Sequence, residues 1–290
     1  MRTRLTASVI VLALLASTPL LRAQQAAVGT APATLAAAAD QQFTGDGVTL
    51  RYRDVGTGDP IVFIHGYTGA LESMFAVANA LPADHRKVAL DVRGFGKSSK
   101  FSDAAKFGQN MVDDVIHLMD SLKIQRGHLV GHSMGALIAA NVLARYPDRV
   151  SSAALVAGPF WDEPQFTAES KRWMGELENG AGLTRFMAWL LPALNEQQAA
   201  GFAGAAMKTN HLGSLIESMR AMPTLKLTAL PKGGDKALIV AGTGDPLFPT
   251  SVALARNSPG SKIVDVQGAN HVAVITHAET VKAIAAQLGQ

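Results

Sequence analysis

Ser133 is the residue of this 290-residue chain whose surroundings most plainly fit it for chemistry, because it stands in the run Gly131-His-Ser-Met-Gly135. An apolar, strand-like stretch ends just before it, and a segment of helical periodicity, Ala136 to Tyr146, begins just after it. A serine at such a turn has its hydroxyl lifted clear of the sheet. Glycines two residues to either side keep strand and helix from colliding. The hydroxyl is a poor nucleophile until a neutral imidazole removes its proton. That imidazole in turn needs a buried carboxylate to fix its tautomer and steady its cationic form. The chain has zero cysteines, so thiol chemistry is excluded.

The strand–turn–helix setting of Ser133 resembles the nucleophile elbow of the α/β-hydrolase superfamily, in its serine esterase and non-haem haloperoxidase-like branch. The resemblance runs from about Val48 to Leu288. Ile61-Val-Phe-Ile-His-Gly-Tyr67 resembles the strand that ends in His-Gly, and Asp91-Val-Arg-Gly-Phe-Gly-Lys-Ser98 the next strand-to-helix loop. Gly242-Thr-Gly-Asp-Pro-Leu-Phe-Pro249 resembles the loop that carries the acid, and Gly268-Ala-Asn-His-Val272 the loop that carries the base. By this match Ser133 is the nucleophile, Asp245 the carboxylate and His271 the general base, in the superfamily's own chain order. The oxyanion of a tetrahedral intermediate falls to the backbone N–H groups of Tyr67 and Met134, and the helix starting at Met134 adds a favourable dipole. Asp162 is the competitor for the acid, since some members carry it just past the strand expected at 150–157. His65, His132, Asp91 and Arg93 read as packing and loop scaffolding rather than catalysis.

These residues need a scaffold, and the pattern supplies an α/β one. Strands are expected at 48–54, 60–64, 87–91, 127–132, 150–157, 236–241 and 261–266, and helices at about 70–81, 106–122, 134–146, 249–257 and 277–288. The alternation describes a mostly parallel central sheet flanked by helices. From 159 to 234 no strand is convincing. There the resemblance implies a helical cap inserted after the sixth strand of the fold, and Asn179-Gly180, Pro192 and Pro223 divide it into three or four short helices. All three tryptophans (Trp161, Trp173, Trp189) and five of the ten methionines lie in this region. The cap is therefore apolar and adaptable, with Trp161, Trp189 and Met187 as candidate substrate contacts.

Residues 1–23 read as a signal peptide, with Arg2 and Arg4 ahead of the apolar stretch Leu5 to Leu15, and 24–42 as a flexible leader before a domain at 43–290. Export to the periplasm or medium follows from that reading. Loss of Arg2, Arg4 and Arg22 would leave 26 − 3 = 23 bases against 23 acids, a near-neutral protein with no electrostatic footprint for nucleic acid or an anionic membrane. No metal-ligand cluster and no nucleotide fingerprint stands out, so no cofactor is expected. The expected protein is a cofactor-free serine hydrolase, a monomer or small homo-oligomer, acting on a small to medium apolar carboxylic ester through an acyl-serine. Lactonase, carbon–carbon bond hydrolase and perhydrolase chemistry share the same residues, and a ligand-binding protein on this fold is the alternative of another class. Epoxide hydrolases and haloalkane dehalogenases need a carboxylate where this chain has Ser133.

Overall fold

The computed structural model describes residues 34–179 and 182–289. The expected signal peptide and residues 24–33 lie outside them.

Eight strands form one sheet: β1 (Gln41–Gly45), β2 (Val48–Val55), β3 (Pro60–Ile64), β4 (Arg86–Leu90), β5 (Gly127–His132), β6 (Val150–Val156), β7 (Ala237–Gly242) and β8 (Lys262–Val266). Their order is β1-β2-β4-β3-β5-β6-β7-β8. β1 and β2 are antiparallel to each other, and β2 is antiparallel to β4. Every pairing from β4 onward is parallel. The central strands read as unbroken apolar runs such as Ile61-Val-Phe-Ile64 and Ala237-Leu-Ile-Val-Ala241 because helices cover both faces of a parallel sheet.

The helices are α1 (Phe75–Ala80), α2 (Gln109–Ser121), α3 (Met134–Arg145), α4 (Glu163–Glu178), α5 (Gly182–Leu190), α6 (Glu196–Thr209), α7 (Leu212–Ala221), α8 (Phe248–Arg256) and α9 (Ala278–Leu288). α4 to α7 all fall between β6 and β7. Asp162 caps α4, its side chain accepting from the Gln165 N–H at 2.9 Å, and Asn195 with Gln198 makes a reciprocal capping box at the start of α6. The core divides between the two faces of the sheet, and the face that carries α2 and α3 runs on into the apolar sides of α4 to α7.

The structure corrects the expected start of the folded chain. Gln41 and Gln42, read as leader, are already in β1, and Leu35 is fully buried beside Ile61 and Phe63. β1 lies at the sheet edge with mostly exposed side chains, so it carries no alternating apolar signal.

Packing is closest where α3 passes over β3 and β5. A Cβ on Gly135 would lie 2.0 Å from the Ile64 carbonyl oxygen, and one on Gly131 would lie 2.2 Å from the Gly135 carbonyl oxygen. Both neighbours are backbone atoms and have no rotamer to yield. Gly135→Ala is therefore expected to destabilise the fold by about 2–3 kcal/mol, at the upper end for overpacked sites. Gly201→Ala and Gly204→Ala, in exposed positions of α6 with nothing within 4 Å, are expected to stabilise it by about 0.5–1 kcal/mol each. Urea denaturation of the three variants checks both signs.

Candidate active site

Four of the parallel strands deliver the expected residues to one edge of the sheet, each from the loop at the strand's carboxyl end. β3 leads to Tyr67, β5 to Ser133, β7 to Asp245 and β8 to His271. Ser133 has φ 54° and ψ −118°, a left-handed conformation strained for a residue with a side chain. It is held there because its N–H donates to the Val156 carbonyl at 2.8 Å, while its carbonyl accepts from Ala136 and Leu137 in the first turn of α3. Met134 is the first residue of that helix and has no carbonyl one turn earlier to bond within it. Among the described residues, no backbone carbonyl accepts from the N–H of Met134 or of Tyr67.

His271 Nδ1 lies 2.9 Å from Asp245 Oδ2, and both residues are buried. An ionised carboxylate only accepts, so Nδ1 carries the proton and Nε2 is left as the basic nitrogen. The other carboxylate oxygen of Asp245 accepts from the Leu247 N–H at 2.9 Å, which orients the group. The two loops are tied together: Gly268 N–H donates to Thr243 Oγ1 at 2.8 Å and Gly244 N–H to the Ala269 carbonyl at 3.0 Å. Asp162, the competing acid, is exposed and engaged in capping α4.

The remaining histidines and charges at this edge are structural. His65 is fully buried, with Nδ1 donating to the Gly66 carbonyl at 2.8 Å and Nε2 accepting from the Val92 N–H at 3.0 Å. Burial holds its pKa below the usual histidine range, as a ring that must accept at Nε2 requires. His132 Nε2–H donates to the carbonyl of His271 at 2.8 Å, and its ring lies 5.0 Å from that of His271. Burial first, and the neighbouring His271 second, lower its pKa from 6.5 to about 4. Asp91 accepts from the N–H groups of Leu71 and Lys97, each at 2.7 Å, and Arg93 pairs with Asp114 at 2.6 and 2.7 Å.

Ser133 stands where two cavities meet. The outer cleft, of about 360 Å³, reaches His271, His132 and Gly66 on one side and Met187, Leu191 and Phe202 on the other. The inner chamber has room for about 30 Å³, enough for only one or two waters. Trp161, Trp173, Phe166, Phe186 and Trp189 line it, with Met219 and Met222. Of the expected substrate contacts, Trp161 and Trp189 line the chamber and Met187 the cleft. Tyr67 belongs to both cavities, and its hydroxyl donates to the Leu215 carbonyl at 2.9 Å, fastening α7 to the loop after β3. Burial raises this phenol far above its ordinary pKa, so it remains a donor. Phe166 and Ser170 are not singled out by the sequence, and Trp173 is named there only among the cap's tryptophans. Their spacing of four and then three residues, one face of a helix, was the available signal.

With this geometry in view, the comparisons with known proteins agree on the family. The model of the α/β-hydrolase fold matches residues 59–278, and the chain belongs to that family. It is 30% identical over 267 residues to the dihydrolipoyllysine-residue acetyltransferase component of the acetoin cleaving system of Pseudomonas putida, a match covering 84% of this chain and 67% of that one. It is 26% identical over 240 residues to the 2-hydroxymuconate semialdehyde hydrolase of a Pseudomonas strain, covering 74% of this chain and 81% of the relative. The first curated relatives are longer than the matched region, which spans 33% to 67% of their length. A bromoperoxidase structure from Bacillus anthracis superposes with a TM-score of 0.72 at 22% identity, over 87% of this chain and 100% of that one, and shows the shared fold.

The His132 geometry sets a pH dependence. The native ring refuses a proton that the unfolded chain binds below about 6.5. The stability this confers is complete above that pH and is lost as pH falls through the window toward about 4. His132→Asn is expected to flatten the fall by up to one proton, about 1.4 kcal/mol per pH unit. Urea midpoints of the two proteins between about pH 4.5 and 7.5 measure the difference.

Proposed function

We propose that the protein is a serine hydrolase that cleaves carboxylic esters with a short apolar acyl group, through an acyl-serine intermediate. The observation that carries this reading is the strained elbow at Ser133. It opens onto the cleft that also holds His271, whose Nδ1 is bonded to buried Asp245.

Each step follows from a group already placed. The Nε2 atom of His271 takes the proton from Ser133 Oγ as the oxygen attacks the ester carbonyl. The carbonyl oxygen gains the negative charge, and the N–H groups of Tyr67 and Met134 stabilise it. The intermediate then collapses: the carbon–oxygen bond to the leaving alcohol breaks, and the imidazolium of His271 returns the proton to that oxygen. A water activated by the same nitrogen repeats the sequence on the acyl-serine and releases the acid. Asp245 keeps the ring in the required tautomer and steadies its positive form. The outer cleft, walled by Met187, Leu191 and Phe202, accommodates the ester and the water, and the aromatic inner chamber has room only for the end of a short acyl group.

The test is kinetic, on p-nitrophenyl esters of graded acyl length. Ser133→Ala is expected to fold and to lose about 10⁴–10⁶ in turnover. Asp245→Asn is expected to lose about 10³–10⁴. Asp162→Asn should change turnover by less than about two-fold, because asparagine caps a helix as well as aspartate does. A cleanly purified Ser133→Ala protein with more than about a tenth of the parent activity would overturn the assignment, and greater damage from Asp162→Asn would move the acid.

A further inference from the structure

Two large apolar side chains at the mouth of the outer cleft stand in solvent. Phe202 and Val272 are each 49% exposed, and both border the cleft that holds Ser133 and His271. A single exposed apolar residue is common on a protein surface. These two differ in flanking one opening from separate elements, the middle of α6 and the position directly after His271. Each is held in place. The Asn270 side chain accepts from the Val272 N–H at 3.1 Å and from the Ala273 N–H at 2.9 Å, closing the turn that carries Val272. α6 is capped at its start, packed inward through Ala199 and Ala203, and tied at its end by the Asn210 amide to the Thr68 carbonyl. The residues that α6 turns to the cleft are Phe202, Ala205, Ala206 and Thr209, spaced three, one and three apart along one face of the helix. The two alanines leave width beside Phe202 that longer side chains would fill.

The two halves of an ester do not share this space equally. His271 borders the cleft and not the inner chamber, and its Nε2 must return the proton to the leaving oxygen. The alcohol therefore departs into the cleft, beside Val272. On the other side of Ser133 the chamber holds only about 30 Å³, too little for an acyl chain. We infer that the larger apolar half of the substrate is its alcohol, and that Phe202 and Val272 grip this group against the alanine face of α6. The inference rests on the ester reading and deepens it: the substrate class is the short-acyl ester of a long apolar alcohol. Each methylene of that alcohol taken out of water between the two side chains adds to binding. Phe202 and Val272 are thus specificity residues, distinct from the groups that act on the carbonyl.

The experiment uses isomeric esters, equal in formula and differing only in which side of the ester bond carries the chain: hexyl acetate against ethyl hexanoate, and octyl acetate against ethyl octanoate. Initial rates followed by titration of the released acid give kcat/KM for the parent, Phe202→Ala and Val272→Ala. The parent is expected to prefer the acetate of each pair by about ten-fold or more. Phe202→Ala is expected to lower that ratio about five- to ten-fold and Val272→Ala about three-fold, as contacts with a few methylenes are removed. Lost folding or a disturbed His271 lowers both members of a pair alike and leaves the ratio where it was. An equal or reversed preference in the parent, or a ratio unchanged in either variant, would overturn the inference.

A second measurement separates this inference from the ester reading. Hexyl acetate is titrated calorimetrically into Ser133→Ala and into Ser133→Ala/Phe202→Ala. Binding weakened about five- to ten-fold by loss of the phenyl ring supports the grip even if the parent hydrolyses neither isomer. Equal binding by the two proteins contradicts it even if both isomers are hydrolysed.

Discussion

The backbone of Ser133 is the constraint around which the molecule is arranged. A residue with a side chain held at φ 54° stores strain of about 1–3 kcal/mol, and it persists only where its surroundings over-determine it. Here the Val156 carbonyl fixes the residue from β6, the first turn of α3 fixes it from the other side, and α3 itself lies against β3 with no room for a side chain at Gly135. The parallel order of the sheet then does the rest. Because β3, β5, β7 and β8 run the same way, their carboxyl ends meet along one edge, and residues more than two hundred positions apart in sequence, Tyr67 and His271, border one cleft.

A second layer of polar contacts keeps those loops in place. His65 and Asp91 tie the loops after β3 and β4 to each other through backbone N–H groups. Arg51 is buried beside Asp91 and also pairs with Glu72 and with Asp40, which lies just before β1. Buried charges are costly unless each is partnered, so the loop, the edge strand and the segment before it are bound into one arrangement. On the opposite side the Tyr67 hydroxyl carries the connection into α7, and the Asn210 side-chain amide donates to the Thr68 carbonyl at 2.8 Å. The wall over Ser133 is thus anchored at the loop after β3.

Much of this was legible in the sequence because the strongest signals are short-range. An apolar strand, a glycine-flanked serine and a helix reveal themselves within fifteen residues, and the seven expected strands lie within one residue of β2 to β8. What could not be read has a common cause. β1 is an exposed edge strand whose partner, β2, supplies the reason for its shape. The burial of Leu35 depends on β3, and the cavity shared by Phe166, Trp173, Phe186 and Trp189 exists only once α4 and α5 pack together. The loop motif already favours Asp245 over Asp162 in the sequence, and in three dimensions one faces an imidazole while the other caps a helix.

The central claim is that Ser133 is activated by its surroundings, and covalent labelling followed by peptide mapping tests it most directly. The folded protein is treated with a fluorophosphonate, digested, and the modified peptide identified by mass. The account predicts one label per chain, on the peptide that contains Ser133, and its loss when His271 is replaced by alanine in a folded variant. A protein that remains unlabelled, or that carries the label on another residue, would contradict it.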